Sequence, residues 1–164
     1  MSKDMFAIFN TLSFGNCDET SDEASAEYER SIDLLNRLQE VERLQPFLEE
    51  VQAALKLDDM LVMQLNLAIE EALVNVISYA YPPEVEGGIR LSVDYHADKH
   101  RLRFMLSDYG KAFDPTGAAE ADVTQDAMDR PVGGLGIFLV KQLMTCVKYS
   151  RRNDCNVLLM IKDL

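Results

Sequence analysis

Between Asp58 and the pair Pro82-Pro83 the chain carries one long helical pattern, and a helix of that kind needs a broad apolar surface to lie on. Leu65, Ile69, Ala72, Leu73, Val76 and Ala80 recur at three- and four-residue spacing, so they share one stripe of the helix. Asp58 stands where an N-cap belongs, and the prolines stop the helix after Tyr81. The pattern predicts helix from Leu61 to Ala80. The surface comes from two alternating pairs of segments. Ile89 to His96 and Arg101 to Ser107 flank a turn at Ala97-Asp98-Lys99, and Val147 to Arg151 and Val157 to Lys162 flank a turn at Asn153-Asp154.

The remaining segments complete the layers. Met5 to Phe14 reads as an N-terminal strand. From Ser31 to Ala54 the residues Leu34, Leu35, Leu38, Val41, Leu44, Leu48, Val51 and Ala54 recur at helical spacing, which predicts one or two amphipathic helices with Pro46 as a break or restart. A further helix is expected from Gly136 to Thr145. The order places helices on one face of a mixed, mostly antiparallel sheet: a two-layer α/β sandwich of the α+β class, expected as a single domain over residues 1–164. The segment at about 15–30 is acidic, with six acids and no base between Asn16 and Glu29, and reads as a solvated face.

Charge and cysteine usage limit the partners. A formal charge of −12 repels phosphate backbones and argues against direct nucleic-acid binding. No long uninterrupted apolar run or export signal is expected, so no membrane partner is. Cys17, Cys146 and Cys155 form no C-x-x-C pair, which suits reduced thiols in a cytoplasm. A polyanionic ligand would need a cation or helix-start N–H groups.

Three places carry such chemistry. Glu71 and Asn75 sit one turn apart on the long helix, where a carboxylate can act as a base and an amide oxygen can bind magnesium; Glu70 points about 100° away. Such a pair commonly does no more than mark the solvent edge of a helix. Asp108-Tyr-Gly-Lys-Ala-Phe-Asp-Pro115 follows a strand directly, so Asp108 can accept from the amino group of an adenine while Gly110 lets a flat base approach the backbone. A turn with an Asx cap reads equally well there. Gly133-Gly134-Leu135-Gly136 opens the last helix, where exposed N–H groups and the helix dipole favour an anion. The polar stretch Thr116 to Val132 lies between two candidate ligand turns and reads as a functional lid.

These motifs occur in order: E-x-x-x-N on a helix, D-x-G-x-x-F-D-P after a strand, and G-G-L-G-I-F-L-V at a helix start. Together they resemble the superfamily of gyrase, heat-shock chaperone, histidine kinase and mismatch-repair ATPases. The run Glu70-Glu-Ala-Leu-Val-Asn-Val-Ile-Ser-Tyr-Ala-Tyr-Pro is most similar to the anti-sigma-factor serine/threonine kinases of the partner-switching type. The resemblance covers about Leu57 to Lys162 and implies a Bergerat-type ATP-binding fold with ATP and Mg2+ as cofactors. It implies Glu71 as catalytic base, Asn75 as magnesium ligand and Asp108 as the adenine-reading acid. Gly110, Phe113, Gly133, Gly134, Leu135 and Gly136 would shape the nucleotide pocket.

The implied partners are a small anti-anti-sigma protein of the STAS type as phosphate acceptor, a sigma factor held in sequestration, and a second copy of the chain as a homodimer. Two departures stand out. Val132 occupies the place of a lid arginine, with Arg130 the nearest, and the last strand reads Asn156-Val-Leu-Leu-Met-Ile where relatives often hold a threonine near the adenine. The base-side contact is therefore expected to lack a side chain. The competing reading is a nucleotide-stabilised interaction module with little or no kinase activity. A histidine-kinase reading is disfavoured because His96 and His100 fall in or beside the strand hairpin.

Overall fold

The computed structural model describes residues 26–117 and 134–164. Five strands form one sheet in the order β1-β2-β3-β5-β4: β1 Tyr28–Leu35, β2 Gly88–His96, β3 Arg101–Asp108, β4 Cys146–Arg152 and β5 Cys155–Asp163. Every pairing among them is antiparallel, where a mixed sheet was expected. The helices are α1 Leu44–Leu55, α2 Asp59–Tyr79 and α3 Gly134–Leu143, with a 3-10 turn at Leu38–Arg43. The expected strand at Met5 to Phe14 lies outside the described residues.

One departure concerns the start of the chain's described part. The helical spacing predicts a helix from Ser31, but Tyr28–Leu35 is an edge strand paired to β2 in register Ile32↔Leu91 and Leu34↔Ile89. Its inward residues Tyr28, Ile32 and Leu34 alternate with Ser31 and Asp33, which is strand periodicity. Leu34 is also in phase with the 3-10 turn and α1, so one count ran through two kinds of backbone. Pro46 does not break α1; it sits in the first turn, where its missing N–H has no intrahelical partner to lose.

The core lies between the helices and one sheet face. Leu44, Phe47, Leu48 and Val51 of α1 and Leu65, Ala68, Ile69, Ala72 and Leu73 of α2 meet Leu91, Val93, Leu102, Phe104, Leu106, Leu158 and Met160 of the strands. Alternation along each strand sends these side chains to the same face, so the helix layer sits on one side. By length and apolarity, with a mean hydropathy of 1.5, α2 also passes for a membrane-crossing helix, contrary to the expectation of no such run. Its buried stripe on the sheet and its central Glu70 and Glu71 mark it instead as the helix that carries the core.

The termini of these elements follow local chemistry. Asp58 Oδ1 accepts from the N–H groups of Met60 at 2.9 Å and Leu61 at 3.4 Å, capping α2 as the sequence predicts. The β4–β5 turn places Asn153 and Asp154 at positive φ of 49° and 62°, a pairing suited to a two-residue hairpin. Cys155 is a buried free thiol, but Cys146 is disulfide-bonded, which corrects the expectation of three reduced thiols. Pairing depends on proximity in the fold, which sequence spacing does not report.

Asp58→Ala removes the α2 cap while leaving its buried stripe intact. The expected loss is about 1 kcal/mol of folding stability, read from urea or thermal unfolding, with no change in the position of α2.

Candidate active site

The three sequence motifs converge at one end of the core. The carbonyl of Ala80, which caps the end of α2, accepts from Lys111 N–H at 2.8 Å, and Tyr81 Oη accepts from Tyr109 N–H at 3.0 Å while donating to the Gly88 carbonyl at 2.9 Å. These bonds draw the segment after β3 against the end of α2. Gly110 makes the approach possible, because a Cβ there would fall 2.4 Å from the Ala80 carbonyl oxygen and 2.6 Å from the Ala80 Cβ.

A cavity of about 470 Å³, counting its open mouth, lies between α2, the end of β3 and the start of α3. Asn75, Asp108, Phe113 and Ile137 line it, with Tyr149 and Asn156 behind Asp108. Its size and mainly apolar wall with a few polar groups suit a small organic ligand. Phe113 lines the cavity and is half exposed.

Asp108 is 4% exposed and carries the main electrostatic feature of the cavity. Its Oδ1 accepts from Gly110 N–H at 2.7 Å and from Asn156 Nδ2 at 2.9 Å, and among the described residues no hydrogen bond goes to Oδ2. Burial pushes its pKa up; the hydrogen bonds from Asn156 and Gly110 and the nearby Arg151 charge oppose that shift. Asn156 is not among the site residues expected from the motifs, and this is the main correction at the site. Asn156 Oδ1 accepts from Tyr149 Oη and Arg151 Nη1, both at 2.7 Å, so the amide is turned with Nδ2 toward Asp108. Its Nδ2 also reaches the Lys111 carbonyl at 3.1 Å. The pairing Asp108↔Asn156 in the β3–β5 register was the missing signal, since it depends on knowing which strands are neighbours.

The first and third motifs meet at Gly136. A Cβ at Gly136 would lie 2.5 Å from Glu71 Oε2 and 3.5 Å from Asn75 Nδ2. The start of α3 is therefore packed directly on the Glu71–Asn75 edge of α2, and glycine leaves the room between them. Glu70, a turn's fraction away, accepts instead from Asn66 Nδ2 at 3.4 Å, a bond within the helix. Gly134 is the first residue of α3, two residues earlier than the sequence predicts, and Leu135 follows it. Gly133, Val132 and Arg130 lie outside the described residues, as does most of the expected lid.

Chemically the arrangement offers a buried acceptor, Asp108, and an amide, Asn75, on the cavity wall, with the Glu71 carboxylate and the start of α3 meeting beside Asn75. That combination fits a ligand with a flat base at one end and an anion at the other. For a divalent ion, the Asn75 amide would supply one hard oxygen, leaving the rest of the coordination to phosphate oxygens and water, as magnesium usually has it.

The comparisons with known proteins agree with this geometry. The family described as histidine kinase-like ATPase domain matches residues 34–162. The serine-protein kinase RsbW of Listeria innocua is 36% identical over 91 residues, covering 53% of this chain and 57% of its own length. The serine/threonine-protein kinase BtrW of Bordetella bronchiseptica is 30% identical over 92 residues, covering 56% of this chain and 63% of its own length. The chain thus matches less than two thirds of either relative. The solved structure of the RsbU and RsbW domains of Rv1364c from Mycobacterium tuberculosis superposes with a TM-score of 0.61 over 84% of this chain and 32% of that one, at 15% identity, a likeness of fold.

Gly110→Ala forces a methyl group against backbone atoms of Ala80 that cannot turn away. The expected cost is about 1 to 3 kcal/mol in unfolding measurements, together with displacement of Asp108 visible as changed amide shifts around the cavity.

Proposed function

Because this chain belongs to the histidine kinase-like ATPase domain family, we propose that it binds ATP with Mg2+ and acts as a serine/threonine protein kinase of the partner-switching type. Its acceptor would be a hydroxyl on a small anti-anti-sigma protein of the STAS type, and its second partner a sigma factor that it sequesters. The names of the relatives, serine-protein kinase and serine/threonine-protein kinase, support the activity. The observation that carries the reading is the contact of Gly136 with Glu71 and Asn75, which joins a helix start to a base and a metal-ligand candidate.

Each residue then has a distinct task. Asp108 accepts the adenine amino group at Oδ2, while Asn156 and Gly110 hold Oδ1 and fix the carboxylate. Phe113 covers the base at the rim. The N–H groups at the start of α3, from Gly134 through Leu135 to Gly136, face the phosphates; the expected part of Gly133 in that run lies outside the described residues. Asn75 would hold Mg2+, which when bound neutralises phosphate charge. Glu71 orients the acceptor hydroxyl and takes its proton. Little covalent chemistry falls to the protein, so most of the rate comes from this positioning.

Two variants test the assignment. Glu71→Gln keeps the shape of the edge and loses the base, so radiolabelled transfer to a serine-bearing partner is expected to fall by about 10²- to 10⁴-fold while nucleotide affinity holds. Unchanged transfer in this variant would remove the base assignment. Transfer absent from the native chain with nucleotide still bound would favour the interaction-module reading.

Asp108→Asn separates binding from stability. An asparagine can still accept from Gly110 and Asn156, but its other atom becomes a donor facing a donor, so calorimetry should show nucleotide binding weakened by about ten- to a hundredfold. The folded chain holds the Asp108 proton more tightly than the unfolded chain, so this group's contribution to stability falls as pH rises from the ordinary Asp range through its raised native value. The variant is therefore expected to be at least as stable as the native chain at neutral pH. Native binding should weaken on acidification from a higher pH than an ordinary Asp, near about 4, would give.

A further inference from the structure

The sheet has a second face, turned away from the helices, and its burial is unexplained by the described elements. Along β5, Leu158 and Met160 belong to the core, whereas Cys155, Val157, Leu159 and Ile161 alternate with them and point to the opposite side. These four are nevertheless buried, with Val157 at 2% and Ile161 at 6% exposure. On β2 the same face carries Ser92, Asp94 and His96, also buried, with His96 Nε2 3.0 Å from Asp94 Oδ1. An apolar strip flanked by a buried charge cannot be closed from water by the sheet alone. All three helices pack on the other side, and among the described residues no element lies over this one.

We propose that this outer face is a docking surface for the chain's own N-terminal segment, residues 5–14. Three observations favour that occupant. The described chain enters at the right place: Glu27 N–H donates to the Tyr95 carbonyl, so residue 26 stands at the end of the sheet beside His96. The length suffices, because five strands span about 19 Å and an extended chain crosses that in about six residues, fewer than the segment has. The pattern also fits, since an extended 5–14 segment places Phe6, Ile8, Leu12 and Phe14 on one side, facing Val157, Leu159 and Ile161.

Charge agrees with the apolar match. Arg101, Arg103, Lys148 and Arg152 share the outer face by strand alternation. The segment that links residue 14 to β1 carries Asp18, Glu19, Asp22 and Glu23, opposite in sign. The acidic run then has a place as the polar rim of an apolar contact rather than as a merely solvated face. The other stretch outside the described residues, 118–133, has no aromatic residue, leucine or isoleucine to match this strip, and the described residues that flank it lie on the helix side, by the Lys141 to Thr116 carbonyl bond and by the start of α3.

Hydroxyl-radical footprinting with residue-level mass spectrometry tests the docking. In the full chain bearing Phe6→Ser, Ile8→Ser, Leu12→Ser and Phe14→Ser together, labelling of Leu159 and Ile161 is expected to rise severalfold while Leu158 and Phe104 stay protected. Protection of Leu159 and Ile161 that survives in the folded variant, or is already missing in the native chain, overturns the proposal. Protection lost on dilution of the native chain also overturns it, in favour of a second copy as the cover. Should the variant fail to fold, amine cross-linking of the native chain decides. A Lys3 to Lys148 link within one molecule is expected, and only intermolecular links in a mixture of isotopically light and heavy chains, or none from Lys3 to this face, would overturn it.

Discussion

The close approach of Gly110 to the end of α2 is the contact on which the rest of the site depends. Two chain segments distant in sequence come within hydrogen-bonding range there, with Lys111 N–H on the Ala80 carbonyl. A side chain larger than hydrogen would part them. The contact fixes the end of β3, and therefore Asp108, relative to the helix that carries Asn75 and Glu71. Tyr81 reinforces it by bridging Tyr109 and Gly88, so β2, β3 and α2 share one corner. A polar ligand site needs such rigidity, because a misplaced acceptor loses most of what a buried hydrogen bond supplies.

Around that corner the buried polar groups form one network. Asp108, Asn156, Tyr149 and Arg151 satisfy one another across β3, β5 and β4, and the Arg151 guanidinium also donates to the Gly110 carbonyl at 3.0 Å. A carboxylate removed from water in this way is costly unless its acceptors are used. Among the described residues only one oxygen is used, and in the function proposed above the other is left to recognise a donor. The burial that raises its pKa also makes a hydrogen bond to it stronger than one in water.

The two faces of the sheet divide the labour. The inner face binds the helices and, through Asp108 and Asn156, shapes the cavity. The outer face continues β5's unbroken burial, Cys155 through Ile161, on the side the helices do not reach. Central strands closed on both faces read as continuous apolar runs, which is how Val157-Leu-Leu-Met-Ile161 stands in the sequence.

By itself the sequence determined most of the elements and the identity of the site motifs. The α2 cap at Asp58, both hairpins with their turns, the Glu71–Asn75 pair and the glycine-led start of α3 are short-range facts. Each is set by propensity, spacing or turn chemistry within a few residues. The edge strand Tyr28–Leu35 reads as helix from Ser31 because Leu34 and Leu35 continue the spacing of the turn and helix that follow, although on the strand they point to opposite faces, and only pairing with β2 distinguishes the two. The partnership of Asn156 with Asp108, the contact of Gly136 with Glu71 and the bond at Cys146 were decided by the tertiary structure alone. Strand order, register and helix packing bring those residues together across long stretches of chain, and no local pattern carries that information.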